Sequence, residues 1–519
     1  MSDDRTQDCR LPEGGLIDRS RRIRFRFNGA WMDGHPGDTL ASALLANGVH
    51  LVGRSMKYHR PRGIMAAGAE DPGGLVQRGL HDEPARTDPD WRATQTALVD
   101  GLEAYTVGAW PSLDRDAGAV LGLASRVMGA GFYYKIMHGS RWMWEHVHEP
   151  LIRKAAGFGV CPDQPDPDVY DHRHVHCEVL VVGGGPAGLA AAGAAARSGA
   201  RVILAEQDER LGGSLLGRRR AIDGQGGVDW AAAMEARLRA SPDVRLLPRT
   251  TVFGYHDNNY LVALERVTDH LGLGPAPPGR PRQRLWHIRA KRVVLATGAH
   301  ERPLVFGDND RPGIMLAGAA QTYLHRWAVL PGRDVVLFTT NDRAYEAALD
   351  LHAAGARIHA IVDSREAPGA ALPAAARAAG IRVMTGYVVG GTSGVRHVTG
   401  ASVMKLGADG RASPHALDTL PCDLLLVSGG LSPVVHLFSQ SGGKLRYDDG
   451  RAAFVPDRSV QALANAGACN GTFDLAGCLA EGAAAGAEAT RLAGSDPGAP
   501  RTAFSVDEPA AAAIKPLWR

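Results

Sequence analysis

The run Gly183-Gly184-Gly185-Pro186-Ala187-Gly188 fits the spacing G-x-G-x-x-G. Residues of this kind, so spaced, cradle a pyrophosphate. The first glycine permits a tight turn, Gly185 lets bare backbone approach the phosphates, and Gly188 lets helix and strand pack closely. Glu206 lies 23 residues after Gly183. A carboxylate there accepts from ribose hydroxyls and repels a 2′-phosphate. Leu211-Gly212-Gly213-Ser214 reads either as a loop crossing near the pyrophosphate, with Ser214 donating a hydroxyl, or as an ordinary turn. No Ser/His/Asp arrangement and no carboxylate pair emerges from spacing, so no catalytic residue is assigned. The six cysteines (Cys9, Cys161, Cys177, Cys422, Cys469, Cys478) contain no C-x-x-C pair. That excludes zinc ribbons, thioredoxin-like pairs and a disulfide framework, and no metal site is expected.

The elements that must position these residues follow from periodicity. Val179 to Val182 is a buried strand, the glycine turn follows, and an alanine-rich helix runs to about Arg197. The strand Arg201 to Ala205 completes a βαβ unit whose helix N-terminus faces the phosphates. Val293 to Leu295 is a strand that ends in Ala296-Thr297-Gly298, the turn by which two-dinucleotide-domain flavoproteins return into the cofactor domain. A second βαβ unit begins at Asp334, with a helix from about Arg343 to Ala353 and a strand from Ile358 to Val362. Where its glycines would fall sit Thr339, Asn341 and Ala344. Side chains at the first two positions crowd a pyrophosphate, and Asp363 alone does not restore a site. This unit therefore reads as nucleotide-type but empty. Upstream, Ile23, Phe25 and Phe27 alternate as in a strand, Asn28-Gly29 makes a hairpin turn, and Asp38 or Thr39 caps a short helix.

The resulting organisation is a loose tail over 1–20 and a small strand-and-helix domain over 21–102. A helical, aromatic connector occupies 103–175. The first nucleotide domain covers 176–310 and 415–490, the second is inserted at 311–414, and 491–519 is linker. The chain has 519 residues, with 58 Lys+Arg against 55 Asp+Glu. That balance gives no reason to expect nucleic-acid binding. Its 45% hydrophobic and 22% charged content excludes global disorder. The uncharged run Val179 to Ala196 holds glycines and a proline and is not read as a membrane span, and the acidic start is unlike a secretory signal. A cytoplasmic enzyme is the expectation. Gly53 to Gly63 is basic and free of acids. It reads as an anion or flavin-phosphate groove, a docking loop or a solvated loop. The connector aromatics (Phe132, Tyr133, Tyr134, Trp142, Trp144) are expected to pack in a core.

Several strings resemble the alpha subunit of heterotetrameric sarcosine oxidase, from about residue 21 to 490. They are Thr39–Gly48, Gly53–Gly63, Ala130–Lys135, His300–Phe306 and Asn470–Gly482. The same family includes opine, proline and hydroxyproline dehydrogenase alpha subunits and bacterial cyanide synthase subunits. The resemblance implies an α/β, two-dinucleotide-binding-domain (Rossmann-like) fold preceded by a ferredoxin-like β-grasp domain. With no cysteine between Cys9 and Cys161, no iron–sulfur cluster is expected there. The resemblance also implies that sarcosine is oxidised to glycine and formaldehyde on an FAD-containing partner beta subunit. An FMN shared at the interface then passes electrons to O2, giving H2O2, and small gamma- and delta-type subunits are further candidate partners. The alpha subunit's own site holds NAD, with FAD as the alternative. By motif this carries over to Gly183, Gly185, Ala187, Gly188, Glu206, Gln207, Gly213 and Ser214, with Phe253 as an adenine contact.

Two-domain flavoproteins place an Asp late in the cofactor domain to accept from the ribityl chain. Here the comparable residue, after Gly467, is Ala468, which suits a ligand sharing only the ADP half of FAD. NAD fits, as would ATP. Long alpha subunits continue into an aminomethyltransferase-like folate domain, whereas this chain stops at Pro516-Leu517-Trp518-Arg519. It therefore reads as a natural short form, a split gene or a truncated piece. The competing readings are the alpha subunit of an opine, proline or hydroxyproline dehydrogenase, and a non-catalytic scaffold with a structural dinucleotide.

Overall fold

The computed structural model describes residues 7–80, 83–125, 129, 131–137, 139–272, 276–501, 503–509 and 514–517. Ala130, Trp518, Arg519 and the side chain of Tyr134 lie outside these residues.

The first sheet has the order Ala30–Gly34, Ile23–Phe27, Glu103–Thr106, Leu75–Leu80, Glu83–Arg92. Ile23, Phe25 and Phe27 are buried while Arg24 faces out, as period-two alternation requires. Phe27 pairs with Ala30, leaving a two-residue turn with Asn28 at φ 49° and Gly29 at φ 85°. Both positive values match a type I′ hairpin turn. Thr39 caps the helix Leu40–Ala46, exchanging hydrogen bonds with Ser42 of 3.1 and 3.0 Å. Asp38 is engaged elsewhere, accepting both ends of the Arg10 guanidinium at 2.7 and 3.0 Å. That buried pair, with Cys9 N–H donating to the Ala46 carbonyl, ties residues 7–20 down where a loose tail was expected. Glu103–Thr106, assigned by sequence to the connector, is a strand inside this sheet, parallel to Ile23–Phe27. Four residues are too few to show a period.

The main sheet runs Val244–Leu247, Val202–Ala205, Tyr170–Val182, Gln283–Leu295, all parallel, with Leu463–Asn465 beyond. The two 13-residue strands pair along their length. Tyr260–Arg266 and Thr250–His256 extend the sheet as an antiparallel meander. Pro186–Ala196 and Leu475–Leu492 cross at backbone contact: a Cβ on Gly482 or Gly486 would lie 2.1 Å from the carbonyl oxygen of Ala187 or Ala191. Spacing of four residues puts both glycines on one helix face, so the two backbones meet along a seam.

A second parallel sheet has the order Ile314–Leu316, Leu424–Ser428, Asp334–Thr339, Arg357–Asp363, Val383–Thr385, so Leu424–Ser428, assigned by sequence to the returning half of the first nucleotide domain, belongs to the second unit, where its two neighbours pair with it on either side. Its strands Asp334–Thr339 and Leu424–Ser428 are buried almost throughout, as a parallel sheet covered on both faces requires. The small first domain packs directly on this unit in one continuous core. The basic loop clasps the two: Arg60 reaches Asp308 and Asp310 at 2.7 Å each, and Arg62 also pairs with Asp310. The charges of Arg60 and Arg62 are thus met by this chain's own carboxylates, while Arg54 and Lys57 donate to the carbonyls of Leu113 and Gly129. Residues 505–508, read as linker, fold back: Asp223 N–H donates to the Ser505 carbonyl at 2.8 Å and Glu508 pairs with Arg218. The connector aromatics Trp142 and Trp144 lie at the surface, 63% and 37% exposed, instead of in a core. The three-residue helix Arg141–Met143 and its continuation present them without a second layer to cover them. Among the described residues no helix is long and apolar enough to cross a membrane, and no cluster of His, Cys, Asp and Glu is placed to hold a metal ion.

Candidate functional site

A cavity of about 720 Å³ opens at the C-terminal end of the main sheet and is walled on other sides by the first domain and the second nucleotide-type unit. Gly183, Gly185, Ala187, Glu206, Gln207, Gly213, Ser214, Phe253 and Ala468 all line it. Gly188 lies beneath, where a Cβ would sit 1.8 Å from the Gly183 carbonyl oxygen. Gly183 itself has φ 103°, and a Cβ there would press on the Ala296 carbonyl at 2.3 Å. A Cβ on Gly185 would meet nothing nearer than 3.9 Å and would project into the cavity, the path a pyrophosphate needs. The helix Pro186–Ala196 begins at this point with its N-terminus towards the cavity and proline in its first turn.

Glu206 is buried. One carboxylate oxygen accepts from the Gly184 N–H at 2.6 Å and the other from the Asp208 N–H at 2.8 Å. The side chain therefore clamps the glycine turn as well as facing the cavity. Burial pushes its pKa up to about 7, against the pull of those two backbone donors. Hydroxyl donors on a ribose favour the ionised form, so dinucleotide affinity is present above about pH 7 and declines as pH falls through it. The decline is expected to approach, at most, roughly tenfold per pH unit below about pH 7. Titration of retained dinucleotide across this range checks it. A flat profile in the wild type would show that the carboxylate does not meet the ligand, and Glu206→Gln is expected to be flat.

The neighbouring residues are held in place by contacts far away in sequence. The Gln207 carbonyl accepts from Arg266 at 2.7 Å, and Asp208 pairs with the buried Arg326 at 2.8 Å. Thr250 N–H donates to the Glu206 carbonyl at 2.7 Å, which brings the strand Thr250–His256 alongside. A register shift between Val252 and Gly254 leaves Phe253 out of the ladder, 52% exposed at the cavity wall. Ala468 lies in the short turn Gly467–Asn470, where its methyl offers no side-chain acceptor. That turn is fastened by Glu481, which accepts from the Gly467 N–H at 2.8 Å and from the Asn470 amide. Glu481 and Arg326 are positioning residues that spacing did not single out. The signs of Glu481 in the sequence are its place inside the resembling string Asn470–Gly482 and on the helix after the Asn470–Gly471 turn.

The second βαβ turn is filled by its own side chains. The Thr339 hydroxyl accepts from the Asn341 N–H at 3.1 Å and donates to the Asn341 carbonyl at 2.8 Å. The Asn341 amide donates to the Ser428 carbonyl at 3.0 Å. Asp363 is occupied by Arg365 at 2.8 Å and the Tyr345 hydroxyl at 2.9 Å. Lys515 N–H reaches the Thr340 carbonyl at 3.2 Å, so the C-terminal segment lies across this turn. With its first site loaded, the chain is expected to show no saturable enhancement of NADH fluorescence. Saturable binding of NADH to the loaded chain would overturn this.

Residues 177–462 match the family model described as pyridine nucleotide-disulphide oxidoreductase. The chain is 47% identical over 475 residues to the sarcosine oxidase alpha subunit of Rhizobium meliloti (strain 1021), covering 92% of this chain and 46% of that one. It is 28% identical over 295 residues to an opine oxidase subunit of Agrobacterium tumefaciens (strain Ach5), covering 54% and 57%. The chain thus spans about half the length of these curated relatives. In fold it is similar to a crystal structure of L-proline dehydrogenase from P. horikoshii, with a TM-score of 0.59, 20% identity, and 94% and 77% of the two chains covered.

One expectation is corrected. Residues 20–108 match the model of a 2Fe-2S iron-sulfur cluster binding domain, and this match overturns the expectation of no iron–sulfur cluster. The expectation came from cysteine positions alone, and the match comes from the whole domain pattern. Cys9 and Cys161 flank that stretch, which itself contains no cysteine. The thiolates by which such clusters are held are therefore not among its residues.

Proposed function

Because the chain belongs to the pyridine nucleotide-disulphide oxidoreductase family and is homologous to sarcosine oxidase alpha subunits over nine-tenths of its length, we propose that it is the dinucleotide-holding, alpha-type component of an amine oxidase built from several subunits. The observation that carries this reading is the cavity built by Gly183, Gly185, Gly213 and Glu206 in a chain homologous to a sarcosine oxidase component. Its walls do carry acids and histidines, His300 beside Glu70 and His436 among them. Amine oxidation is nonetheless assigned to a partner subunit, on the homology to one subunit of a multi-subunit oxidase. The reaction proposed is oxidation of sarcosine to glycine and formaldehyde, with O2 reduced to H2O2.

The residues of this chain bind and orient. Backbone N–H groups at the start of Pro186–Ala196 meet the pyrophosphate, Glu206 accepts from the adenosine ribose, and Phe253 covers the adenine. A nicotinamide or flavin ring on the far half of such a dinucleotide supplies hydride-accepting chemistry. A second reading, an opine-oxidising complex, is favoured by the similarity to the opine oxidase of Agrobacterium tumefaciens.

The test has two parts. The chain purified alone should release an adenine dinucleotide on denaturation, identified by mass spectrometry, and should not turn over sarcosine, proline or opines. With its partner subunit it should turn over sarcosine. Opine turnover instead would select the second reading. Steady turnover by the single chain would overturn the assignment of chemistry to a partner, and absence of any dinucleotide would overturn the binding role.

A further inference from the structure

Three arginines line the cavity where it meets the second nucleotide-type unit: Arg218, Arg220 and Arg343. Two of them have counter-ions. Arg218 pairs with Glu346 and, at 3.4 Å, with Glu508. Arg220 pairs with Glu346 at 2.5 Å and with Glu508 at 3.8 Å. Both carboxylates are thus committed. The remaining acid nearby, Glu301, is turned away to the Gly318 N–H at 2.7 Å and to the Ser428 hydroxyl.

Arg343, at the start of the helix Arg343–Ala353, makes no ion pair and no hydrogen bond through its side chain among the described residues. Burial and the charge of Arg218 pull its pKa down to about 10, against the more distant pull of Glu301, Glu346 and Glu508. The side chain is half-buried, and a guanidinium partly withdrawn from water with no carboxylate in direct contact is costly; folded proteins pair such groups or put them to use. The open volume beside Arg343 is the cavity itself.

We infer that Arg343 is an anion-binding residue that pairs with an oxyanion, a carboxylate or a phosphoryl group, of a ligand inside the cavity. The planar guanidinium fork matches either geometry through two parallel N–H···O bonds. Two sources supply that chemistry: a phosphoryl group of the bound dinucleotide itself, or a separate small carboxylate that shares the cavity with it. The inference rests on the proposed dinucleotide only for the choice between these sources.

The experiment uses the full chain, stripped of nucleotide, with Arg343→Gln and Arg343→Lys beside it. Inorganic pyrophosphate and acetate are the probes, followed by thermal unfolding and calorimetry. The wild type is expected to gain thermal midpoint with at least one probe. Arg343→Gln loses the response while unfolding at or above the wild-type temperature without ligand, because an uncompensated charge is gone. Arg343→Lys retains part of the response. A roughly tenfold or greater drop in dinucleotide co-purifying with Arg343→Gln identifies a phosphoryl partner. Unchanged dinucleotide with a lost acetate response identifies a separate carboxylate. A wild type that responds to neither probe overturns the inference, as does an undiminished response in Arg343→Gln. A lower ligand-free midpoint in that variant marks a structural arginine and also overturns it. Failure of the dinucleotide reading is distinguishable: no nucleotide is found in the wild type, while the anion response of Arg343 persists.

Discussion

Gly188→Val is expected to give a chain without bound dinucleotide and with a sharply lowered unfolding midpoint. The added Cβ would stand 1.8 Å from the Gly183 carbonyl oxygen, and on its other side Ala296 is in ordinary contact at 3.5 Å. Neither neighbour is the end of a flexible side chain. The helix Pro186–Ala196 would have to lift from its strand, and it is pinned from behind by Leu475–Leu492 at Gly482 and Gly486. Overpacking a core costs about 1–3 kcal/mol where side chains can give. Here backbone opposes backbone, so the cost is expected to exceed that range and to consume much of the ~5–15 kcal/mol that holds a domain folded. Thermal unfolding and mass spectrometry of released nucleotide check both halves. A variant that melts and retains dinucleotide like the wild type would show that helix and strand are not in contact at this point.

The second large effect is expected at Glu206. Glu206→Ala removes the acceptor proposed for the ribose hydroxyls and also the partners of two backbone donors, the N–H groups of Gly184 and Asp208. A hydrogen bond to a charged acceptor contributes about 1.5–3 kcal/mol. Loss of the ribose contact alone therefore weakens binding roughly ten- to a hundredfold. Leaving a buried donor without a partner costs about a further 1–3 kcal/mol, which lowers stability as well. Glu206→Gln separates the two roles. It keeps the shape and one acceptor, so stability is expected to recover while affinity recovers only in part. Unchanged retention in Glu206→Ala would show that the acid serves the turn and not the ligand.

The glycine turn, its helix and the acid at the end of the next strand were legible in the chain because each obeys a local rule. Gly183, Gly185 and Gly188 are spaced by the geometry of a single turn, and Glu206 directly follows a four-residue strand of uniformly buried residues, Val202–Ala205. The hairpin at Asn28-Gly29 and the cap at Thr39 are local in the same sense. The departures at Thr339 and Asn341 could also be read, since a side chain excludes a phosphate wherever the turn forms. The strand Glu103–Thr106 was not legible, being too short for a period and recognisable only by its neighbours on either side. Nor was the anchoring of residues 7–20, which depends on Arg10 meeting Asp38 and on a backbone bond between Leu16 and Arg326.

What the sequence by itself determined is therefore the nucleotide-binding βαβ unit and the residues of its turn. Those contacts span few residues, and residue type limits the allowed backbone directly. What only the tertiary structure decided is how the cavity is completed. The bulge that presents Phe253 and the Glu481 clamp on the Ala468 turn are closed between successive elements, whereas the Arg326–Asp208 pair beneath Gln207 and the cavity wall where Arg343 stands without a direct partner beside two paired arginines join segments far apart in the chain. No spacing rule reaches across such separations. Whether a buried charge finds a partner there depends on which surfaces the packed sheets bring together.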